Sequence, residues 1–316
     1  KNIKICYIYL NFFWGDEMKF QSTRGLEKGI SSAEAIVRGI AKDGGLFVPE
    51  SFPNLYSKLK EEKNLSYVDL AYKIISKYFT DIKAADLKEA IKDAYEGRFD
   101  VTVNNGFMEL YHGPTCAFKD AALLFLPQVM KRAKKAIGVK EEVVILTATS
   151  GDTGKAALEG FKDVDGFKVV VYYPNNGVSP IQQRQMSTQE GNNVKVFAIN
   201  GNFDNAQTGV KEIFGDEEFK KSLLSKGYIL SSANSINIGR LVPQIVYYFY
   251  GYFKLVEQGK INQGDEINVV VPTGNFGNIL ASYYAKQMGL PINKFICASN
   301  DNKVLTDFFR TGTYDK

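Results

Sequence analysis

Between positions 143 and 297 the chain alternates short β-branched runs with helix-like segments. This alternation confines it to parallel sheets covered by helices. Val143-Val-Ile-Leu-Thr147 is followed by a helical stretch, Lys155-Ala-Ala-Leu-Glu159. Lys168-Val-Val-Val-Tyr-Tyr173 precedes Ser179-Pro180, which reads as an N-cap and an N1 proline. Val194-Lys-Val-Phe-Ala-Ile199 leads to a helix near 203–214. Tyr228-Ile-Leu230, Ile267-Asn-Val-Val-Val271 and Phe295-Ile-Cys297 are further runs. Folds of this kind hold their ligands at the carboxyl ends of the strands.

The first hundred residues have a different texture. Ser66 with Asp69 three residues on predicts a capped helix start, and Tyr67, Leu70, Ala71, Ile74, Ile75 and Tyr78 then form one apolar stripe. Leu87, Ala90, Ile91 and Ala94 form a second. The expected organisation is a mostly helical N-terminal domain over 18–104 and an α/β domain over 105–316, with a smaller lobe at about 140–230. Residues 1–17 read as an apolar, aromatic extension ahead of Met18. The segment 235–249 reads as a single helix with Arg240 in its first turns.

Composition removes several function classes. A net charge of +4 without a long basic run does not point to nucleic acid. No stretch reaches the roughly 20 apolar residues that span a bilayer. Cys6, Cys116 and Cys297 are too scattered for a metal site or a disulfide framework, which favours a reducing, cytoplasmic setting. His112 is the single histidine, so a histidine-based triad or metal mechanism would have to pass through it. It reads as structural in its turn, and Cys116 as a small buried packing residue.

Two glycine-rich loops follow strands and enter helices, Thr147-Ala-Thr-Ser-Gly-Asp-Thr-Gly154 and Pro272-Thr-Gly-Asn-Phe-Gly-Asn278. Each places backbone N–H groups and a helix N-terminus where an anion can bind. The first is not a nucleotide P-loop. Threonine occupies position 149 where that motif needs glycine, and Ala156 follows Lys155 where it needs Ser or Thr. A third constellation, Tyr111-His-Gly-Pro-Thr-Cys-Ala-Phe-Lys-Asp120, holds Lys119 behind a Gly-Pro turn and beside a phenylalanine. A lysine near two anion loops suits a cofactor that carries both an aldehyde and a phosphate, and pyridoxal phosphate carries both.

Four segments together resemble the threonine synthase family. They are His112-Gly-Pro-Thr-Cys-Ala-Phe-Lys-Asp120, Thr147 to Gly154, Asn234-Ser-Ile-Asn-Ile-Gly-Arg240 and Gly274-Asn-Phe-Gly-Asn278. Met18-Lys-Phe-Gln-Ser-Thr-Arg-Gly25 and Asp43-Gly-Gly-Leu-Phe-Val-Pro49 are similar to the amino-terminal part of that family. The resemblance implies an α/β fold type II pyridoxal-phosphate enzyme, related to the tryptophan synthase β fold. It implies a β,γ-replacement that turns O-phospho-L-homoserine and water into L-threonine and phosphate.

By the same resemblance Lys119 is the Schiff-base lysine and the proton-transfer base. Gly274, Asn275, Phe276, Gly277 and Asn278 hold the cofactor phosphate, and Asp152 lies near the pyridoxal hydroxyl. Ser150, Gly151, Thr153 and Gly154 bind the amino-acid end of the substrate, while Asn234, Ser235 and Arg240 grip its phosphate. No metal is implied, and the protein acts on a small molecule as a monomer or homodimer. Family members continue past the equivalent of position 316, so the C-terminal part, with the partner of the pyridine nitrogen, is expected to be missing. Two alternatives stand beside this reading. One is a threonine or serine dehydratase-like lyase. The other is a non-catalytic threonine-synthase-like binding protein.

Overall fold

A computed structural model describes residues 17–315 except 63, 234, 236 and 273. The expected extension over 1–17 therefore lies, but for Glu17, outside the described residues. The chain opens with β1 (Phe20–Ser22), α1 (Ser32–Arg38) and β2 (Phe47–Pro49), with β1 and β2 paired antiparallel. Helices α2 (Tyr56–Leu59), α3 (Tyr67–Ile75) and α4 (Ala84–Tyr95) follow. Ser66 caps α3 as its spacing predicts: its hydroxyl accepts from the Asp69 N–H at 3.1 Å and donates to the Asp69 carboxylate at 2.6 Å. The stripes of α3 and α4 are buried.

Periodicity alone predicts no strand between these helices and Lys119, yet a hairpin stands there. Strands β3 (Asp100–Asn104) and β4 (Phe107–His112) pair antiparallel around Asn105 and Gly106, whose φ angles are 49° and 81°. Asn-Gly is the turn pair that tolerates two successive left-handed residues, so the signal was present. The hairpin spans the boundary expected at 104/105. Helices α5 (Asp120–Leu123) and α6 (Phe125–Ala136) come next.

The α/β part then runs β5 (Glu142–Ala148), α7 (Asp152–Phe161), β6 (Phe167–Pro174), α8 (Pro180–Ser187) and β7 (Val194–Ile199). It continues with α9 (Phe203–Gly215), α10 (Glu217–Ser225) and β8 (Tyr228–Ser232). These four strands form one parallel sheet in the order β7-β6-β5-β8. Helices α11 (Ile238–Leu241) and α12 (Pro243–Glu257) lead to β9 (Ile267–Pro272), α13 (Gly277–Gln287), β10 (Ile292–Ala298) and α14 (Val304–Thr311). Strands β9 and β10 pair parallel as a separate two-stranded sheet. All six β-branched runs are strands.

The single helix expected over 235–249 is instead two. Helix α11 is four residues long, and α12 begins afresh with Pro243 at its first position. Proline has no N–H to continue the preceding ladder and suits a helix start.

One large core joins the parts. Ile36, Leu70, Ile74, Tyr95, Phe125, Val143, Phe161, Val169, Ile245 and Phe249 belong to a single buried cluster. A smaller cluster of Leu146, Ala148, Ala206 and Val210 lies under α9. Tyr78 donates its hydroxyl to Met288 Sδ at 3.1 Å, tying the N-terminal helices to the end of α13. No helix among the described residues is long and apolar enough to cross a membrane.

Candidate active site

Lys119 sits at the turn before α5, and the next residue explains why it is held there. Asp120 is fully buried and accepts from the Thr115 N–H at 2.9 Å and the Thr115 hydroxyl at 2.6 Å. Gly113 packs so closely against Asp120 that a Cβ there would lie 2.5 Å from its carboxylate. The loop 113–119 is thus folded over a buried carboxylate, whose own pKa is raised by that burial. Cys116 corrects the sequence expectation. It is exposed, with φ at 54°, on the outside of this turn and not in the core. His112 lies at the end of β4, where Nε2 contacts Glu109 at 3.0 Å and Thr102 at 3.1 Å.

The Lys119 ammonium meets Asp152 Oδ2 at 2.8 Å and lies 4.1 Å from the centre of the Phe118 ring. Burial pushes this amine below the ordinary lysine value; Asp152 opposes the shift and the nearby Arg240 charge adds to it. Asp152 is the first residue of α7, directly after the glycine loop that ends β5.

Arg240 is 2% exposed. Its Nη1 donates to the Ala233 carbonyl at 2.9 Å, and its Nε has no partner among the described residues. Among the described residues no carboxylate lies within ion-pair distance of it. Burial lowers its pKa to about 10. A buried guanidinium with an unused N–H is a site waiting for an anion, since such groups are otherwise paired.

A cavity of about 300 Å³ brings these groups together, lined by Lys119, Asp152, Ser235, Arg240, Gly274, Asn275, Gly277 and Asn278. Phe118, Gln244 and Pro272 complete the wall and were not foreseen. Gln244 carried a legible signal, because it lies four residues after Arg240. Its amide donates to the Arg240 carbonyl at 2.9 Å and accepts from Tyr247 at 3.1 Å. The second glycine loop enters α13 through Phe276, held at φ 60°. A Cβ on Gly274 would meet nothing within 4 Å, so the loop leaves open space beside its backbone.

Other expected site residues flank the cavity without lining it. Ser150 is exposed, and Gly151, Thr153, Gly154 and Phe276 do not line the cavity. The N–H groups of Gly151 and Gly154 both donate to Thr149 Oγ1 at 3.0 Å. Asn234 lies outside the described residues.

Residues 19–95 match the family described as threonine synthase N terminus, and residues 107–316 match the family described as pyridoxal-phosphate dependent enzyme. A threonine synthase of Escherichia coli has a crystal structure that superposes with a TM-score of 0.81 at 37% identity, covering 94% of this chain and 68% of that one. The chain belongs to the threonine synthase family. Threonine synthase of Schizosaccharomyces pombe is 41% identical over 95% of this chain, and human threonine synthase-like 1 is 43% identical over 95% of it. The chain spans 60% and 44% of the length of these two relatives.

Pyridoxal phosphate is the cofactor of this family. The residues present fit it. Lys119 offers a half-buried amine with a lowered pKa, the Gly274 loop offers open space at a helix start, and Arg240 Nε has no partner among the described residues, in the same cavity.

Proposed function

We propose that this protein is a threonine synthase, converting O-phospho-L-homoserine and water to L-threonine and phosphate. The observation that carries the reading is a half-buried lysine and a buried arginine facing one cavity, the arginine with no carboxylate at ion-pair distance among the described residues. Bound pyridoxal phosphate supplies an aldehyde for amines and a ring that stores carbanion electrons. The protein supplies the rest. Gly274, Asn275, Gly277 and Asn278 hold the cofactor phosphate at the first turn of α13, where backbone N–H groups lack intrahelical partners. The Lys119 Nζ moves protons at Cα and Cβ of the substrate, a role that its lowered pKa assists. Arg240 and Ser235 bind the phosphate that leaves from Cγ, with the planar guanidinium matching its oxygens. Low solvent exposure around Arg240 strengthens that attraction.

A phosphate clamp of this kind separates the reading from a dehydratase, whose hydroxyl substrate needs no buried cation. A second reading, a protein that binds the cofactor or a phospho-ligand without turnover, draws support from the similarity to a relative designated threonine synthase-like. We place the protein in the cytoplasm as a monomer or homodimer; free Cys116 and Cys297 support a reducing compartment.

The test has two steps. Borohydride reduction with pyridoxal phosphate should tag the Lys119 peptide in mass spectrometry, and Lys119→Ala should lose the tag. Incubation with O-phospho-L-homoserine should then release phosphate and threonine together. A tag on another lysine overturns the cofactor assignment, and a tag without threonine selects the non-catalytic reading.

A further inference from the structure

Helix α7 begins at Asp152 with Gly151 at its N-cap, and glycine has no side chain to cap it. The cap comes instead from two residues upstream. Thr149, 2% exposed, accepts the N–H of Gly151 and the N–H of Gly154, each at 3.0 Å, and donates to the Gly151 carbonyl at 3.1 Å. Its own N–H donates to the Tyr172 carbonyl at 2.9 Å, extending the contact between β5 and β6. Its methyl group fills the space where Gly154 lacks a side chain: a Cβ there would lie 2.5 Å from Thr149 Cγ2. Every polar atom of the Thr149 side chain is thus spent on the loop that carries Asp152.

Asp152 depends on that loop. Its side chain is 41% exposed, and among the described residues Lys119 is its hydrogen-bond partner, at 2.8 Å. Among the described residues no other hydrogen bond fixes the carboxylate, so its reach to Lys119 is set by where the backbone starts α7. The charged groups acting on Lys119 are Asp152 from α7 and Arg240 from α11, of opposite sign. Moving the carboxylate away leaves the burial and the arginine unopposed.

We infer that Thr149 is a positioning residue whose hydroxyl locks the 150–154 loop to the parallel sheet and thereby sets Asp152 against the Lys119 amine. This role gains its catalytic meaning from the assignment of Lys119 as the cofactor lysine.

The neutral fraction of Lys119 can be read without cofactor or substrate. Trace acetylation of the full chain with acetic anhydride is run across pH, and the Lys119 peptide is quantified by mass spectrometry. Asp152→Asn gives the reference shift, a midpoint moved to lower pH. Thr149→Val keeps the shape and loses the hydroxyl; it should move the midpoint in the same direction, while Thr149→Ser should keep the wild-type value. Circular dichroism confirms that each variant is folded, and Thr149→Ala replaces the valine variant if that one is not. A folded variant without the hydroxyl that titrates as wild type overturns the inference, as does a folded serine variant with a shifted midpoint or an Asp152→Asn chain with an unshifted one. Failure of the threonine synthase reading would show separately, in the borohydride and product experiments.

Discussion

Arg240 carries an electrostatic cost that a binding role explains. Burial lowers its folded pKa to about 10, below the ordinary arginine value, so the folded chain binds the proton less well than the unfolded chain. The penalty is complete below about pH 10 and is relieved as pH rises toward the ordinary arginine value. Replacing the guanidinium with an apolar side chain of similar length should remove this cost, as it does for other buried charges. Arg240→Met is therefore expected to melt no lower than wild type at pH 7. Its kcat/KM for O-phospho-L-homoserine should nevertheless fall by a factor of tens to thousands, equivalent to about 2–5 kcal/mol. Calorimetry and steady-state kinetics with pyridoxal phosphate bound check both halves. A variant less stable than wild type with unaltered kinetics would make Arg240 a structural residue. The family resemblance singled out the arginine as an expected phosphate ligand, but its burial and its unpartnered Nε were not legible. They follow from α11 packing against α1, α5 and α6, which no local pattern encodes.

At the scale of the element, the β3–β4 hairpin brings the chain to the lysine loop, and a short polar network holds its turn. Glu109 is pulled down to about 2 by hydrogen bonds from Asn104 first, then Thr102 and His112. The sign for an acid with a lowered folded pKa is definite. Its contribution is present above the ordinary 4.5 and is lost as pH falls from there toward 2. Protection factors of the amides of residues 100–112, taken against the intrinsic exchange rate at each pH, should fall over that window, and Glu109→Gln should flatten the dependence. Unchanged protection from pH 5 to 2 would remove Glu109 from the account. A second element-scale test concerns α7. Gly160 faces the Leu123 carbonyl so closely that a Cβ would collide with it, and this permits α7 to lie against α5. Gly160→Ala should destabilise the fold by about 1–3 kcal/mol, the range for overpacking, measured as a lowered urea midpoint. A gain in stability, as expected for Gly→Ala in an uncrowded helix, would show that the two helices can separate without cost.

At the scale of the whole molecule, α3 and α4 pack on α12 and α6, and Leu55 and Tyr56 donate backbone N–H groups to the Met288 carbonyl at 3.0 and 3.1 Å. The two stretches matched by separate family descriptions therefore share one buried cluster. A shared core predicts shared cooperativity. Urea unfolding followed by far-ultraviolet circular dichroism and by tyrosine near-ultraviolet absorption should give one coincident transition. Two separated transitions would show that the N-terminal helices and the α/β part fold independently.

The six parallel strands, the capped α3, the N1 proline of α8 and the four motif segments could be read directly, because each rests on local periodicity, a cap or a fixed spacing. Lys119 and Arg240 were likewise legible as chemistry. The Asn-Gly hairpin was encoded yet overlooked, and the break before Pro243 was encoded in a single residue. Other features rest on side-chain hydrogen bonds within a loop that neither periodicity nor a cap announces. Cys116 points outward because loop 113–119 folds over the buried carboxylate of Asp120. Gly151 and Gly154 turn their N–H groups to Thr149, leaving Asp152 to face the lysine. Sequence fixes which groups a loop carries, since that is a matter of order along the chain. Which of them face one cavity depends on hydrogen bonds and contacts between segments more than a hundred residues apart, and only the packed tertiary structure decides that.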